Sequence, residues 1–285
     1  MIDSVKDNYR IIFSIIQNEH LGWVVECYAV KEGDNENLML SNQKIHSTTC
    51  ADFGLDEKQT QLVKWLEEID KKEIAKKFNK LKRNISPAEF FKKQYTDELK
   101  VTIREYVEQI LKKSLELLKG EEIYIASEDN LNVAGRRLTY PTEEAKVYFH
   151  LYNNDEGMQY YANIRYNDET VNYRQNNSVA ITEQPVWLIA GNQLLCLPAD
   201  IDKSKIIAFL DKKFISIPKA SQKIYLEKFI IPLVEKFSVF AKGINVVTER
   251  VLGKPILELV KMSDVLSVVL KFQYDDHTYN YNTKK

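Results

Sequence analysis

Residues 56–119 contain no glycine and a single proline, Pro87, and their apolar residues recur at helical rather than strand spacing. A block of that length and period has to be helical, and its apolar stripe has to be buried against other structure. Leu62, Leu66 and Ile69 share one face, which Val63 and Trp65 widen. Ile74, Phe78 and Leu81 form a second amphipathic segment. Ser86 before Pro87, with Glu89 three positions on, reads as an N-cap with proline in the first turn. Thr96 or Asp97 caps a long helix to Lys119, in which Leu99, Ile103, Val107, Ile110, Leu111, Ser114, Leu115 and Leu118 are spaced by threes and fours. Gly120 is the stop.

The chain on either side reads as strands. In Gln184–Pro198 two apolar runs flank Gly191-Asn192, a pair that tolerates the positive φ of a tight hairpin turn. Because both runs are apolar throughout, both faces should be covered, and we take this hairpin as the centre of a β-rich core. Further strands are expected at Arg10–Ile16, Gly22–Val30, Leu38–Leu40, Ile123–Ala126, Lys146–Tyr152, Met158–Tyr166, Val171–Tyr173, Val179–Ile181 and Phe214–Ile217. Asn42–Gly54 reads as irregular. Asp202–Lys212 reads as a helix, and Ala220–Phe237 as one that Pro232 kinks or splits. Strands at Ser238–Lys242, Ile244–Glu249, Ile256–Lys261, Val265–Tyr274 and Tyr279–Tyr281 close the chain. The expected fold class is α+β, a β-rich body of mostly antiparallel strands with a helical subdomain. Its parts are an N-terminal β segment at 1–54, the helical subdomain at 55–120, and a β-rich α+β region at 121–285 that packs with 1–54.

Formal net charge is −1, so the whole chain has no bias toward a partner, and the three cysteines, Cys27, Cys50 and Cys196, are odd in number and far apart. They imply free thiols in a reducing compartment. The first residues hold no apolar signal core and no run approaches a membrane span, so a cytoplasmic protein without membrane contact is expected. Ending in a bare Thr283-Lys-Lys after a strand, the chain reads as a piece cut from a longer one. Gly253-Lys254 lacks a glycine-rich lead-in, and neither Gly-x-Ser-x-Gly nor His-Glu-x-x-His occurs. No cofactor is expected, and the four histidines offer no general base.

Charge is unevenly placed. Residues 71–93 hold nine basic residues against two acids, whereas 121–200 hold five against twelve. Lys76, Lys77, Lys80, Lys82 and Arg83 are the candidate phosphate contacts, with a solvated helix face as the plain alternative. Arg136-Arg137, the only paired arginines, are a second candidate; the alternative is a loop pairing with Glu143 or Glu144. Along Lys146–Tyr166, Tyr148, His150 and Tyr152 alternate with Val147, Phe149 and Leu151, while Tyr161 and Arg165 lie opposite Tyr160, Ile164 and Tyr166. A Tyr/His/Arg face of that kind stacks unpaired bases, or serves as cross-strand packing. Asp129 with Glu144-Ala145-Lys146 matches the sparse Asp…Glu-x-Lys pattern of metal-dependent nucleases. His46, Cys50 and Cys27 make an incomplete zinc set.

Several stretches together carry a resemblance. They are His20-Leu-Gly-Trp-Val-Val-Glu-Cys-Tyr-Ala-Val, Lys64-Trp-Leu-Glu-Glu-Ile-Asp-Lys-Lys-Glu-Ile-Ala-Lys-Lys-Phe and Tyr106-Val-Glu-Gln-Ile. Pro185-Val-Trp-Leu-Ile-Ala-Gly-Asn-Gln-Leu-Leu, Ile215-Ser-Ile-Pro, Tyr225-Leu-Glu-Lys-Phe-Ile and Leu270-Lys-Phe-Gln-Tyr-Asp-Asp-His-Thr-Tyr follow in order. This succession resembles the N-terminal region ahead of the motor in bacterial Swi/Snf-type (Snf-two class) helicase-like ATPases. The resemblance implies a DNA-dependent ATPase whose motor lies C-terminal to these residues on the same polypeptide. Neither a phosphate-binding loop nor an Asp-Glu-x-His motif is present, so no ATPase residue carries over and this chain is expected not to be an enzyme. What it implies is a non-catalytic accessory domain whose partners are that motor and DNA. The alternatives are a protein-interaction or autoinhibitory module and, third, a metal nuclease on Glu144 and Lys146.

Overall fold

A computed structural model describes residues 9–31, 42–81, 83–127, 129, 132–155, 157–174, 178–234, 236–243, 253–262, 265–274 and 277–280. The fold is α+β with mostly antiparallel sheets. One compact unit spans Met1–Lys242 and a second Gly243–Lys285. The expected strands at Leu38–Leu40 and Ile244–Glu249 lie outside the described residues.

In the first unit, β1 (Tyr9–Asn18) and β2 (Gly22–Lys31) form a long hairpin. Asn18 Oδ1 closes its turn by accepting from the backbone N–H groups of His20 and Leu21. The short strand β3 (Asn42–Lys44) and a 3₁₀ turn at Cys50–Phe53 order a stretch whose sequence reads as irregular. Then come four helices, α1 (Glu57–Glu68), α2 (Lys71–Phe78), α3 (Pro87–Lys93) and α4 (Asp97–Leu117). Asp56 and Gln59 make a reciprocal capping box on α1. Ser86 Oγ accepts from Glu89 N at 3.2 Å, and Thr96, not Asp97, caps α4 by accepting from Leu99 N at 3.3 Å. The chain then returns as β4 (Ile123–Ile125), parallel to β1, and β5 (Arg136–Leu138), giving the sheet order β3-β2-β1-β4-β5.

Strand periodicity turns alternate residues of this sheet to opposite sides. Phe13, Ile15, Val25 and Ile123 join Leu62, Leu66, Leu111 and Leu115 of α1 and α4 in the main core, which also takes in Trp187, Ile189 and Leu194. Full burial of each such side chain contributes about 1.5–3 kcal/mol. Ile12, Val30 and Tyr124 lie under Val133 and Ala134, and the buried Ser14 Oγ donates to Val133 O at 2.6 Å. Ile74, Phe90, Phe91, Ile103 and Val107 bind α2, α3 and α4 to Leu21 and Val24.

The Gly191-Asn192 hairpin forms as β10 (Trp187–Ala190) and β11 (Gln193–Cys196), with Gly191 at φ 57°. It belongs to a small three-stranded sheet with β9 (Val179–Ala180) that feeds the main core, rather than standing at its centre. A third sheet follows the order β12-β7-β6-β13, from β6 (Lys146–Asn154), β7 (Gly157–Tyr166), β12 (Ile215–Ile217) and β13 (Val239–Lys242); β8 (Glu169–Thr170) also pairs with β7. Val171–Tyr173 is not a strand. Tyr173 turns inward instead, and its hydroxyl donates to Ala162 O at 2.7 Å. The buried side of this sheet packs Phe149 and Tyr160 on Phe237, Phe209 of α5 (Lys203–Asp211) and Tyr225.

Helical residues run from 222 to 234 through α6 (Gln222–Tyr225), a π turn at Leu226–Ile230 and α7 (Ile231–Val234). Ile231 N donates five residues back, to Leu226 O. Pro232 has no N–H to give and its ring crowds the preceding turn; the widened turn just before it accommodates both.

The second unit is an antiparallel sheet of β14 (Lys254–Met262), β15 (Val265–Tyr274) and β16 (His277–Asn280). Lys271 pairs with Glu258 on it. Among the described residues, no helix is long and apolar enough to cross a membrane.

Candidate functional site

The face of β6 and β7 that points away from α5 has the composition of a binding surface. Val147, Phe149 and Leu151 are buried, as are Tyr160, Ala162, Ile164 and Tyr166, so the alternate residues face outward. On β6 these are Lys146, Tyr148, His150 and Tyr152. On β7 they are Gln159, Tyr161, Asn163 and Arg165, and β13 adds Phe240 and Lys242. Ser216 and Thr170 extend the same face through β12 and β8. Among these described positions there is no carboxylate, although residues 121–200 carry twelve acids against five basic residues.

Register puts Phe240, His150 and Tyr161 side by side on three neighbouring strands. The His150 imidazole stacks on Tyr161 with centroids 4.8 Å apart and planes 6° from parallel, and on Phe240 at 5.2 Å and 17°. These separations match the spacing between paired strands, so the rings stand upright and stack across the sheet. Tyr148 leans on Phe240 at 5.8 Å. Asn163 Nδ2 lies 3.2 Å from His150 Nε2, and burial pulls the imidazole pKa below its ordinary value. Burial thus favours the neutral form of the imidazole in the column. The column ends on β13, which pairs only with β6 among the described strands, and Phe240 is 54% exposed there. A flat ring can extend such a column. Lys242 lies 5.7 Å from the Tyr152 ring, and Lys146 pairs across from Arg165, so cations flank the rings.

A separate basic surface is built by α2, α3 and the turn between them. Asn79 holds that turn, accepting from Gln94 Nε2 at 3.0 Å and donating to Arg83 O at 2.9 Å. Lys76, Lys80 and Arg83 are exposed. Lys76 reaches Glu73 at 3.4 Å, and Arg83 and Lys93 both reach Glu89, at 3.0 and 2.9 Å. Lys77 is placed differently, its ammonium 3.8 Å from the centre of the Tyr106 ring, which gives it a packing role that Lys76 and Lys80 do not show. Lys82 lies outside the described residues. Lys71 and Lys92 line a groove of about 680 Å3 together with His20 and Phe91, whose rings stack at 4.6 Å.

Arg136 and Arg137 are on strand β5 rather than a loop, and Glu122 rather than Glu143 or Glu144 is the acid beside them, 3.5 Å from Arg137. Glu122 also lies 2.9 Å from Arg10. The close approach at Gly135 fixes the entry to β5, because a Cβ there would sit 2.8 Å from Ile125 O and Ser127 N.

The metal patterns do not assemble. No group of three or more His, Cys, Asp or Glu residues that could hold an ion occurs among the described residues. Asp129 accepts from Ser127 Oγ at 2.5 Å, while Ala145, between Glu144 and Lys146, donates its N–H to Cys196 O. Cys27 and Cys50 are buried in the main core, and His46 turns to Glu67 at 3.2 Å. Burial raises the pKa of all three thiols, that of Cys196 to about 11, the opposite of what a nucleophile or metal ligand needs.

Phe240 completes the ring column from a strand remote in sequence, and no local pattern marks it as a partner of His150. Comparison with protein-family models, with curated proteins and with solved structures yields no match to this chain.

Proposed function

We propose that this chain is a non-catalytic, cytoplasmic nucleic-acid-engaging module, and that it binds single-stranded DNA or RNA on the open face of β6, β7 and β13. The observation that carries the reading is the upright column Phe240–His150–Tyr161 on a face whose described residues include three cations and no carboxylate. Unpaired bases stack on aromatic rings whatever their identity, and flanking lysine and arginine side chains take the phosphates. A base added beyond Phe240 continues the column, and Asn163, Gln159 and Ser216 supply polar edges. The exposed lysines of α2 and α3 form a second phosphate surface. The resemblance to the region ahead of a Swi/Snf-type motor supports a role in presenting nucleic acid to an ATPase carried on the same polypeptide.

Fluorescence anisotropy with labelled oligo(dT), oligo(U) and a duplex, titrated across salt, tests this. The expected outcome is tighter binding of single strands, with log affinity falling by about 0.7 per log salt for each phosphate contact. Equal or absent binding of all three probes would sink the proposal. The protein-docking alternative gains from one feature, the edge of β13 with which no other described strand pairs, which an extended peptide could extend as a further strand.

A further inference from the structure

Behind the same sheet, a crevice of about 370 Å3 opens between β7, α5 and the bent helical segment 222–234. Its walls are aromatic: Tyr160, Phe209, Tyr225, Phe229 and Phe237. Tyr225 and Phe229 stack at 5.0 Å and 24°, and the π turn that carries Phe229 forms one wall. A π turn is a costly local geometry that is common at binding sites. The volume lies at the low end of the range for small-molecule sites. Phe229 is 60% exposed, so this crevice leaves aromatic surface in water.

Its charge is one-sided. Among the described residues the lining includes Lys205, Lys228 and Lys236 and no acid. Lys205 is engaged by Asp202, whereas Lys228 and Lys236 are exposed and make no ion pair among the described residues. An apolar slot with unpaired ammonium groups is complementary to an amphipathic anion. We propose that the crevice binds a soluble medium-chain monocarboxylate, its tail against Tyr160, Phe209 and Phe237 and its carboxylate at Lys228 and Lys236. This site is on the opposite side of the sheet from the ring column and does not depend on the nucleic-acid reading.

Calorimetric titration of the full chain with octanoate, octanol and octylamine tests it. Octanoate should bind about tenfold more tightly than octanol, as expected for a charge-assisted hydrogen bond, and octylamine most weakly. From hexanoate to octanoate, affinity should rise about fourfold per methylene. Ala208 is an exposed lining residue, so Ala208→Trp should fill the slot and abolish binding while leaving the melting curve and oligo(dT) affinity unchanged. The exposed pair Lys228→Glu and Lys236→Glu should reverse the order of octanoate and octylamine. Equal affinity for octanoate and octanol, binding that survives Ala208→Trp, or no heat from any probe would overturn the proposal. Binding to anionic vesicles without binding to soluble octanoate would overturn it as well, in favour of a lipid surface.

Discussion

The imidazole of His150 lies against the ring of Phe240, centroids 5.2 Å apart, across two parallel strands, β6 and β13. The contact joins a strand of the Lys146–Tyr166 hairpin to a strand that the chain reaches only after α5 and the bent helical segment. Phe240 is also the outermost ring of the column and is 54% exposed, so on the proposed function its removal should harm binding most and folding least.

Phe240→Ala should weaken oligo(dT) binding about 5- to 150-fold, the range of one lost base–aromatic stack. Its slope against salt should stay unchanged, because no cation is removed. Parallel thermal melts would show a small loss, since the side chain is already 54% exposed. A change in salt slope with unchanged affinity would contradict the stacking role.

The depressed pKa of His150 ties stability to pH. Burial favours the neutral imidazole in the folded protein, while the unfolded chain takes up a proton near the ordinary value of about 6.5. The unfolded state therefore binds more protons between the two values. Stability should be full above the ordinary value and should fall as pH drops through that window, levelling off below the folded pKa. Tyr161, Phe240 and Asn163 are the groups against the ring, and none offers a carboxylate to offset the charge. Melting temperatures from pH 7.5 to 5 should show a shallower decline for His150→Phe than for the natural chain.

Reversing exposed charge on α2 and its following turn, with Lys76→Glu and Lys80→Glu, should lower nucleic-acid affinity and reduce the salt slope by about 0.7 per lost contact. Lys77→Glu should behave differently, lowering the melting temperature as well, because it breaks the contact with the Tyr106 ring. Equal melting curves for the two variants would remove the distinction.

Gly135→Ala should destabilise the protein by about 1–3 kcal/mol in urea unfolding, as overpacking does. The new Cβ would meet backbone atoms of Ile125 and Ser127 at 2.8 Å, and backbone cannot swing aside as a side chain can.

The thiols should be inert in the folded chain. With Cys27 and Cys50 buried and Cys196 pushed up to about 11, iodoacetamide at pH 8 should label none of them quickly, whereas all three should react in denaturant.

How far the sequence could be read depended on the range of the signal. The helices were legible because Leu62, Leu66, Leu111 and Leu115 repeat within single elements, and caps such as Ser86 and Thr96 act over three residues. The outward set Tyr148, His150, Tyr152 and Tyr161 was legible for the same reason, as a period of two within one hairpin. The partnership of β13 with β6 was not, because a parallel pairing closes only through a long crossover and so leaves no mark at short range in sequence. Arg136 and Arg137 were misread as a loop pair because the strand that orders them, β4, is itself only three residues long. Most of the carboxylate-free face comes from a stretch that reads as acidic, because acids of that stretch such as Glu143, Glu144, Asp155, Asp168 and Glu183 lie in the turns and loops around β6 and β7, and a charge sum over sequence does not separate loop from strand.

Strand β1 is flanked by β2, its immediate successor, and by β4, which follows all four helices. During synthesis the first hairpin therefore leaves the ribosome with one side of β1 unsatisfied. At about 5–20 residues per second, the helices that separate it from β4 take on the order of ten seconds to emerge. For that interval the nascent chain presents the inner strand of its future sheet as an open edge, the kind of surface that recruits chaperones or pairs with a neighbouring nascent chain. The helical block is thus also a delay line: how quickly it collapses onto the hairpin decides how long that edge stays unguarded.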